Sequence, residues 1–206
     1  MLKIVNTSFS YGSLSPYIIR DCSAEFESPG VSLISGSNGC GKSTLMDIMT
    51  GFKSPHAGNV FINNVNVYSS QKSVSTLRKI ISYMPSSLRM PLYLDVSYLL
   101  NLWMGNLYKS ELITMLKLSP FMDHKYYSLS DGYRNRVHLA IALSRGSFVF
   151  LDEPLKSQDE DLKKIFSDII TMSSKGRTFI ITTPDNIDGL KHSKKLVLSR
   201  GVLSEA

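Results

Sequence analysis

The chain of 206 residues has only two cysteines, one tryptophan and no long apolar run. Cys22 and Cys40 lack the spacing of a metal site or a disulfide framework, which favours ordinary reduced thiols. No stretch approaches the roughly 20 apolar residues that span a bilayer. The N-terminus, MLKIVNTSFSYG, lacks the basic start, apolar centre and cleavage site of a secretory signal. These absences argue against an integral membrane or secreted protein, and we expect a cytoplasmic location.

The sequence also has no dense run of basic residues. Its 23 Lys and Arg exceed its 17 Asp and Glu, which gives a net charge of +6. This modest excess suits an anionic membrane surface or phosphate groups, although a solvated surface is the better explanation because no dense basic run appears. Nothing supports a nucleic-acid partner. With 43% hydrophobic and 19% charged residues, the composition predicts one globular domain over residues 1–206.

Strands alternate with helices along most of the chain, and this pattern predicts an α/β fold with a mainly parallel central sheet. The first two segments, LKIVNTSFSYG and IIRDCSAEFES, are expected to form an antiparallel N-terminal flank. The segment GNVFINNVNVY predicts a hairpin, and KIISYMP predicts another strand. From about residue 92 to 135 the helical spacing of Leu, Met and Ile predicts a small helical subdomain. KKLVLSRGVLSE predicts a closing hairpin.

A complete phosphate-binding loop follows the third predicted strand. Residues 36–43 read GSNGCGKS, which matches G-x-x-x-x-G-K-[ST] between a strand and a helix, the context that the motif requires. Its glycines let backbone N–H groups face phosphate oxygens, while Lys42 would reach the β- and γ-phosphates and Ser43 would hold Mg²⁺. The expected ATP-binding residues here are Ser37, Asn38, Gly39, Cys40, Gly41, Lys42, Ser43 and Thr44.

A second anchor is the apolar strand FVFLDEP at residues 148–154. Asp152 would enter the Mg²⁺ coordination sphere beside the phosphate loop, and Glu153 would polarise the attacking water as the catalytic base. Such a strand alone is only suggestive, but its combination with the loop predicts a nucleoside triphosphatase.

The segment LSDGYRNR at residues 129–136, followed by the helical VHLAIAL, identifies a family. It resembles the Leu-Ser-Gly-Gly-Gln signature of ATP-binding-cassette (ABC) proteins, and the order of loop, helical insert, signature and acidic strand is the ABC order. The resemblance covers essentially the whole chain. It implies a P-loop NTPase fold, ATP hydrolysis and a head-to-tail dimer. In that dimer Ser130 and Gly132 of one subunit would touch the γ-phosphate held by Lys42 of the other.

The same resemblance assigns two further residues. Tyr11 matches the aromatic residue on which the family stacks adenine, although a tyrosine at a strand end also serves packing. Asp159 aligns with the aspartate of the family's dimer loop, whose surrounding pattern is largely lost here.

Three departures from the family pattern concern the γ-phosphate. Ser86 stands where the family has a glutamine, and we expect it to be too short to replace that side chain. Asp131 and Tyr133 replace a glycine and the glutamine of the signature, and Pro184 replaces a histidine, so a donor is lost. We therefore expect slow hydrolysis with ATP binding retained. None of the four histidines of the chain lies at a position in the sequence from which it could replace the missing one. They are His56, His124, His138 and His192.

The resemblance implies the ATP-binding subunit of a transporter, acting as a homodimer or heterodimer on a separate transmembrane permease subunit. We expect it to lie peripherally on the inner face of the cell membrane. The short chain is similar to the ATPase subunits of haem, drug or peptide exporters. The helical insert, including Trp103, would receive the membrane subunit, although its apolar stripe is better explained as internal core and both roles can hold. Two alternatives stay open: a degenerate nucleotide-gated half of a heterodimer, and a soluble ABC ATPase without a transport role.

Overall fold

A computed structural model describes residues 1–12, 14–69, 71–105, 110–184, 187 and 189–206. In this part of the chain no helix is long and apolar enough to cross a membrane. The strands are β1 Leu2–Phe9, β2 Ile19–Phe26, β3 Gly30–Ser35, β4 Ala57–Ile62, β5 Val65–Asn66, β6 Ile81–Met84, β7 Phe148–Asp152, β8 Thr178–Thr183, β9 Lys194–Ser199 and β10 Val202–Glu205. The α-helices are α1 Lys42–Met49, α2 Gln71–Ile80, α3 Val96–Met104, α4 Ser110–Met115, α5 Asp131–Ser144 and α6 Glu160–Ser173.

The central sheet has six strands in the order β10-β9-β3-β8-β7-β6. Its inner pairs are parallel, and only β10 runs antiparallel to its neighbour β9. Strands β7 and β8 are buried along their whole length, as expected for strands covered on both faces. Because the carboxyl ends of parallel strands meet at one edge, the loops after β3, β6, β7 and β8 lie together. The predicted parallel sheet is confirmed.

A separate antiparallel sheet, in the order β2-β1-β4-β5, covers one face of the central sheet. β4 and β5 form the predicted hairpin, in which Asn63 and Asn64 both adopt positive φ, at 49° and 62°. Asparagine tolerates this left-handed conformation, and two such residues in succession make the tight turn that suits the twist of a hairpin. The apolar core between the two sheets includes side chains of α1. The predicted antiparallel flank is thus confirmed.

The predicted helical insert contains α3, α4 and two short 3₁₀ turns at Ser119–Phe121 and Tyr126–Ser128, and α5 follows. Residues 106–109, within this prediction, lie outside the described residues. One face of α3 is buried in a second apolar core, which also contains side chains of α5, α6 and the central sheet. Tyr98, Leu102 and Trp103 on its other face are exposed. The assignment of 92–135 as a subdomain of a single domain stays a prediction.

The sequence did not predict helix α2. Its apolar positions Val74 and Leu77 are spaced by three residues, and Leu77 is buried, while Arg78 and Lys79 lie in the last turn, where cations favour the helix dipole. The Ile80-Ile81 pair is typical of a strand, and the sequence therefore predicts a strand that starts at Lys79. It starts at Ile81 instead. A ten-residue helix of mostly polar residues gives too weak a periodic signal to be separated from the strand that follows.

Candidate functional site

The phosphate loop runs from the end of β3 to the start of α1 and folds tightly. Gly41 has φ 108°, and a Cβ there would lie 2.9 Å from Ile18 Cγ2, so only glycine fits without displacement. At Gly36 a Cβ would lie 2.4 Å from the carbonyl oxygen of Leu198. α1 begins at Lys42, and the N–H groups of its first turn lack partners within the helix. This turn can therefore hold an anion.

Lys42 is almost fully buried, with 3% of its surface exposed. Its Nζ donates to the carbonyl oxygens of Gly36 at 2.7 Å and Ser37 at 3.2 Å. The same nitrogen lies 3.2 Å from Glu153 Oε1. All three ammonium protons thus have an acceptor, and the loop lysine and the acidic residue after β7 form one ion pair.

Asp152 ends β7 and is fully buried. Its Oδ1 accepts a 2.6 Å hydrogen bond from Thr182 Oγ1, and its Oδ2 accepts from the backbone N–H of Ser86 at 3.4 Å. Ser86 Oγ lies 3.5 Å from Ser43 Oγ. The loop after β6 thus brings Ser86 next to Ser43 and Asp152, and the expectation that this serine is too short to replace a glutamine stays a prediction. The oxygen donors of Ser43 and Asp152 are the hard ligands that Mg²⁺ prefers, so the donor chemistry fits this ion.

Glu153 has φ 50°, a left-handed conformation that few non-glycine residues adopt. Its backbone N–H lies 3.2 Å from Thr182 O and 3.1 Å from Thr182 Oγ1. β8 therefore fixes both acidic residues through the single residue Thr182. The positive φ of Glu153 costs of order 1–3 kcal/mol in backbone strain. The strained turn points Glu153 towards Lys42 instead of along the strand.

Three residues of the predicted loop and the acidic residue Glu153 line one cleft of about 610 Å³, which we call the phosphate cleft. It is lined by Asn38, Gly39 and Ser43 on one side and by Glu153 and Pro184 on another. A smaller groove of about 200 Å³ continues from the loop to Tyr11. In shape and chemistry, the two together suit a triphosphate next to a flat aromatic base.

Tyr11 is 62% exposed beside the loop. Its hydroxyl lies 3.0 Å from Thr44 Oγ1, and its ring packs edge-on against Phe9 with centroids 5.2 Å apart. Lys53 Nζ lies 5.7 Å from the centre of the ring. A face of the ring stays accessible in this arrangement, as base stacking requires. Cys40, also in the loop, is partly exposed.

Ser130 and Gly132 do not line the phosphate cleft. Ser130 caps α5 by accepting from the backbone N–H of Tyr133 at 3.4 Å, and both residues border a separate pocket of about 310 Å³. Asp159 borders the same pocket and caps α6, where it accepts from Leu162 N at 2.9 Å. One chain therefore does not bring the signature to its own Lys42.

The histidines are engaged elsewhere in the described structure. His138 is buried, and its Nε2 lies 2.6 Å from the Tyr126 hydroxyl; burial, with a smaller contribution from Arg134, lowers the pKa of His138 to about 4. His56 stacks on Phe9, with ring centroids 5.4 Å apart. Neither residue lines the phosphate cleft, nor do His124 and His192.

Sequence reasoning missed four residues around the site. Thr182 holds both acidic residues, and a threonine in a strand beside the acidic strand is the only local hint of this role. Lys156 lines the phosphate cleft. Gln158 Nε2 donates to Gly132 O at 3.2 Å, and Asn135 Nδ2 donates to Lys156 O at 2.8 Å. These bonds join segments more than 20 residues apart, so no local pattern reveals them.

Comparison with known proteins places this site in a family. A family model described as ABC transporter matches residues 19–156. A spermidine/putrescine import ATP-binding protein, PotA of Chromobacterium violaceum, is 27% identical over all of this chain, which spans 59% of that protein. The cytochrome c biogenesis ATP-binding export protein CcmA of Rickettsia bellii is 26% identical, with 88% of this chain and 92% of that protein covered.

Solved structures agree on the fold. A dimeric ATP-binding cassette, MJ0796 in a post-hydrolysis state bound to ADP and Pi, superposes with a TM-score of 0.86 at 20% identity, covering 100% of this chain and 98% of that one. The family match, which spans the loop, the signature and the acidic strand, agrees with the geometry of the site. The chain belongs to the ABC transporter family.

Proposed function

We propose that this chain is the ATP-binding subunit of a transporter, and that it binds MgATP in the phosphate cleft and hydrolyses it slowly. The observation that carries the proposal is the convergence of Asn38, Gly39, Ser43 and Glu153 on one cleft. ATP would place its triphosphate against the loop and its adenine on Tyr11. Ser43 and Asp152 would hold Mg²⁺, which when bound offsets charge on the β- and γ-phosphate oxygens.

The chemistry starts from the ion pair of Lys42 and Glu153. Phosphate oxygens compete for Lys42, and its transfer to the nucleotide releases the Glu153 carboxylate. Glu153 then accepts a proton from a water molecule while the water oxygen attacks the γ-phosphorus and the bond to the ADP oxygen breaks. Pro184 offers no hydrogen-bond donor in the cleft, which supports slow turnover.

A second subunit would complete the site. Ser130 and Gly132 lie outside the phosphate cleft of their own chain, which supports the head-to-tail arrangement in which they contact the nucleotide of a partner. The partner is either a second copy or a related ATP-binding subunit. If it supplied the more complete catalytic set, this chain would act chiefly as a nucleotide-gated half. The departures at Ser86, Asp131 and Pro184 favour that second candidate.

The membrane partner would bind the helical insert, at the inner face of the membrane. Tyr98 and Leu102 lie four residues apart on the exposed face of α3, next to Trp103. Tyr93 and Tyr127 add a ring pair with centroids 5.7 Å apart. Exposed apolar side chains in such number are typical of protein contacts. Similarity to CcmA, named for export and covered over 92% of its length, supports export, although PotA is named for import.

Titration with a fluorescent ATP analogue tests nucleotide binding. Lys42→Ala should weaken binding by about 2–4 kcal/mol, because a buried cation no longer meets the phosphates. Lys164→Ala, on the exposed face of α6, is the control and should bind like the wild type. Thermal unfolding of both variants checks that the fold persists. Equal affinities in the wild type and Lys42→Ala would refute the assignment of the phosphate loop.

Purification of the tagged chain in mild detergent tests the transporter role. A polytopic membrane protein should co-purify with the wild type, and its yield should fall with Tyr98→Ser/Leu102→Ser. ATP binding should stay unchanged in this double variant, because α3 does not line the phosphate cleft. Recovery of the chain without any membrane protein, from the cells that naturally produce it, would favour a soluble ABC ATPase.

A further inference from the structure

Lys156 lies two residues after Pro154, in the turn that follows β7, and borders two clefts. It lines the phosphate cleft together with Ser43 and Glu153. It also lines a neighbouring cleft of about 530 Å³ that contains Ser86 and Asp131. Lys156 is therefore placed beside all three departures from the family pattern, since Pro184 lines the first cleft.

The backbone of Lys156 is held on both sides. Its N–H donates to Glu153 O at 3.0 Å, and its carbonyl accepts from Asn135 Nδ2 on α5 at 2.8 Å. These bonds fix the start of the side chain three residues from the predicted base. The side chain itself is exposed, and it forms no ion pair within the described residues.

The other described lysine that lines the phosphate cleft, Lys163, has its ammonium group in an ion pair. Lys163, on α6, lies 2.7 Å from Glu160 and is already paired with that carboxylate. Lys42 is likewise paired, with Glu153. Among the described lysines that border the cleft, Lys156 thus has the ammonium group that can turn towards an incoming phosphate without breaking an ion pair.

We infer that Lys156 is a catalytic residue whose ammonium group contacts the γ-phosphate and replaces part of the stabilisation that is missing because Pro184 has no donor. This inference rests on the proposed function, ATP hydrolysis in the phosphate cleft. Negative charge on the γ-phosphate oxygens is stabilised in the transition state by a nearby cation in a partly enclosed cleft. The long, flexible stem of lysine lets the ammonium follow the phosphate. Asn135 is the positioning residue that holds the turn.

The test compares the wild type with Lys156→Gln, Lys156→Arg, Lys163→Gln at the other lysine of the cleft, and the control Lys164→Gln. Phosphate release at saturating MgATP should fall about tenfold or more in Lys156→Gln, with KM changed by less than about threefold. Lys156→Arg keeps the charge and should stay within about fivefold of the wild type. Lys164→Gln should match the wild type. The amount of ADP–vanadate retained by the protein should fall in parallel with turnover, while binding of a non-hydrolysable ATP analogue stays level.

The outcomes separate this inference from the proposal on which it rests. Wild-type turnover that Lys156→Gln leaves unchanged would overturn the role of Lys156 alone, and a loss confined to Lys163→Gln would transfer that role to α6. A larger KM at unchanged kcat would also overturn it, since Lys156 would then bind the ground state only. A wild-type chain that neither binds nor hydrolyses ATP would refute the proposed function itself.

Discussion

The Lys42–Glu153 ion pair predicts that removing the charge of Glu153, the proposed catalytic base, tightens ATP binding. Lys42 uses its protons on Gly36, Ser37 and Glu153, and it must release at least one of them to reach a phosphate. Glu153→Gln replaces a carboxylate by a neutral amide of the same shape. The variant therefore competes less for Lys42 and no longer repels the γ-phosphate.

The structure sets the size of this effect. Lys42 is 3% exposed and the side chain of Glu153 is 17% exposed, so water screens their 3.2 Å contact only in part. A hydrogen bond to a charged group contributes about 1.5–3 kcal/mol, and the amide oxygen of glutamine retains some of it. We therefore expect a net gain of about 1–2 kcal/mol, which is about 5- to 30-fold tighter ATP binding. Hydrolysis should fall by about 100-fold or more, because the proton acceptor is lost.

Titration with a fluorescent ATP analogue and a phosphate-release assay measure the two effects on the same samples. Glu25→Gln is the matched control, since Glu25 pairs with Lys3 on the surface of the antiparallel sheet and lines neither the phosphate cleft nor the groove beside Tyr11. It should bind and hydrolyse ATP like the wild type. In size-exclusion chromatography, Glu153→Gln should also form an ATP-dependent dimer, alone or with its natural partner. Unchanged or weaker ATP binding by Glu153→Gln would refute the competition between Glu153 and the phosphates.

Three other predictions concern single side chains. Pro184→His should raise phosphate release at saturating MgATP by about tenfold or more, mainly in kcat, and brisk wild-type turnover that the variant leaves unchanged would contradict this. MgATP should protect Cys40 from alkylation by N-ethylmaleimide, as followed by mass spectrometry, while Cys22 should stay unmodified in either case because it is buried and burial raises its thiol pKa. Between pH 7 and pH 5 the free energy of unfolding should fall by about 2 kcal/mol more in the wild type than in His138→Gln. The unfolded imidazole gains a proton near pH 6.5 and the folded one only near pH 4, so stability falls as the pH is lowered through this window. Urea titrations in which the free energy of unfolding changes equally with pH in the two proteins would refute this.

The sequence predicted the elements whose signals are local. The phosphate loop is contiguous, and its glycines, lysine and serine are all required within residues 36–43. The buried strands β3, β7 and β8 are short apolar runs. The Asn63-Asn64 pair predicts the turn of the hairpin between β4 and β5. In each case the residues that fix the conformation are neighbours in the chain, so the pattern alone is sufficient.

What the sequence could not predict depends on contacts between distant segments. The position of Ser86 depends on the path of the loop after β6, which brings its N–H to Asp152. The support of Asp152 by Thr182 requires the register of two adjacent strands. Lys156 enters the cleft because Asn135, on a helix before β7, fixes the turn after it. None of these relations leaves a periodic or motif-like trace.

The same long-range bonds tie the signature to the turn after the acidic strand. Gln158 Nε2 donates to Gly132 O at 3.2 Å, and Arg136 pairs with Asp159. A Cβ at Gly132 would lie 2.9 Å from Ser157 O, so the two segments are in direct backbone contact. Such short, mutually supporting contacts leave little freedom for independent motion.

In the proposed dimer, this coupling has a consequence for two nucleotides at once. The turn that carries Lys156 serves the cleft of its own chain, while Gly132 would face the nucleotide of the partner. A shift of one segment must move the other, because the Gln158 and Asn135 bonds join them within one chain. Neither bond involves the side chains at Ser86, Asp131 or Pro184. If these three substitutions slow hydrolysis, the bonds that join the two segments are unaffected, as a subunit that gates more than it hydrolyses would need.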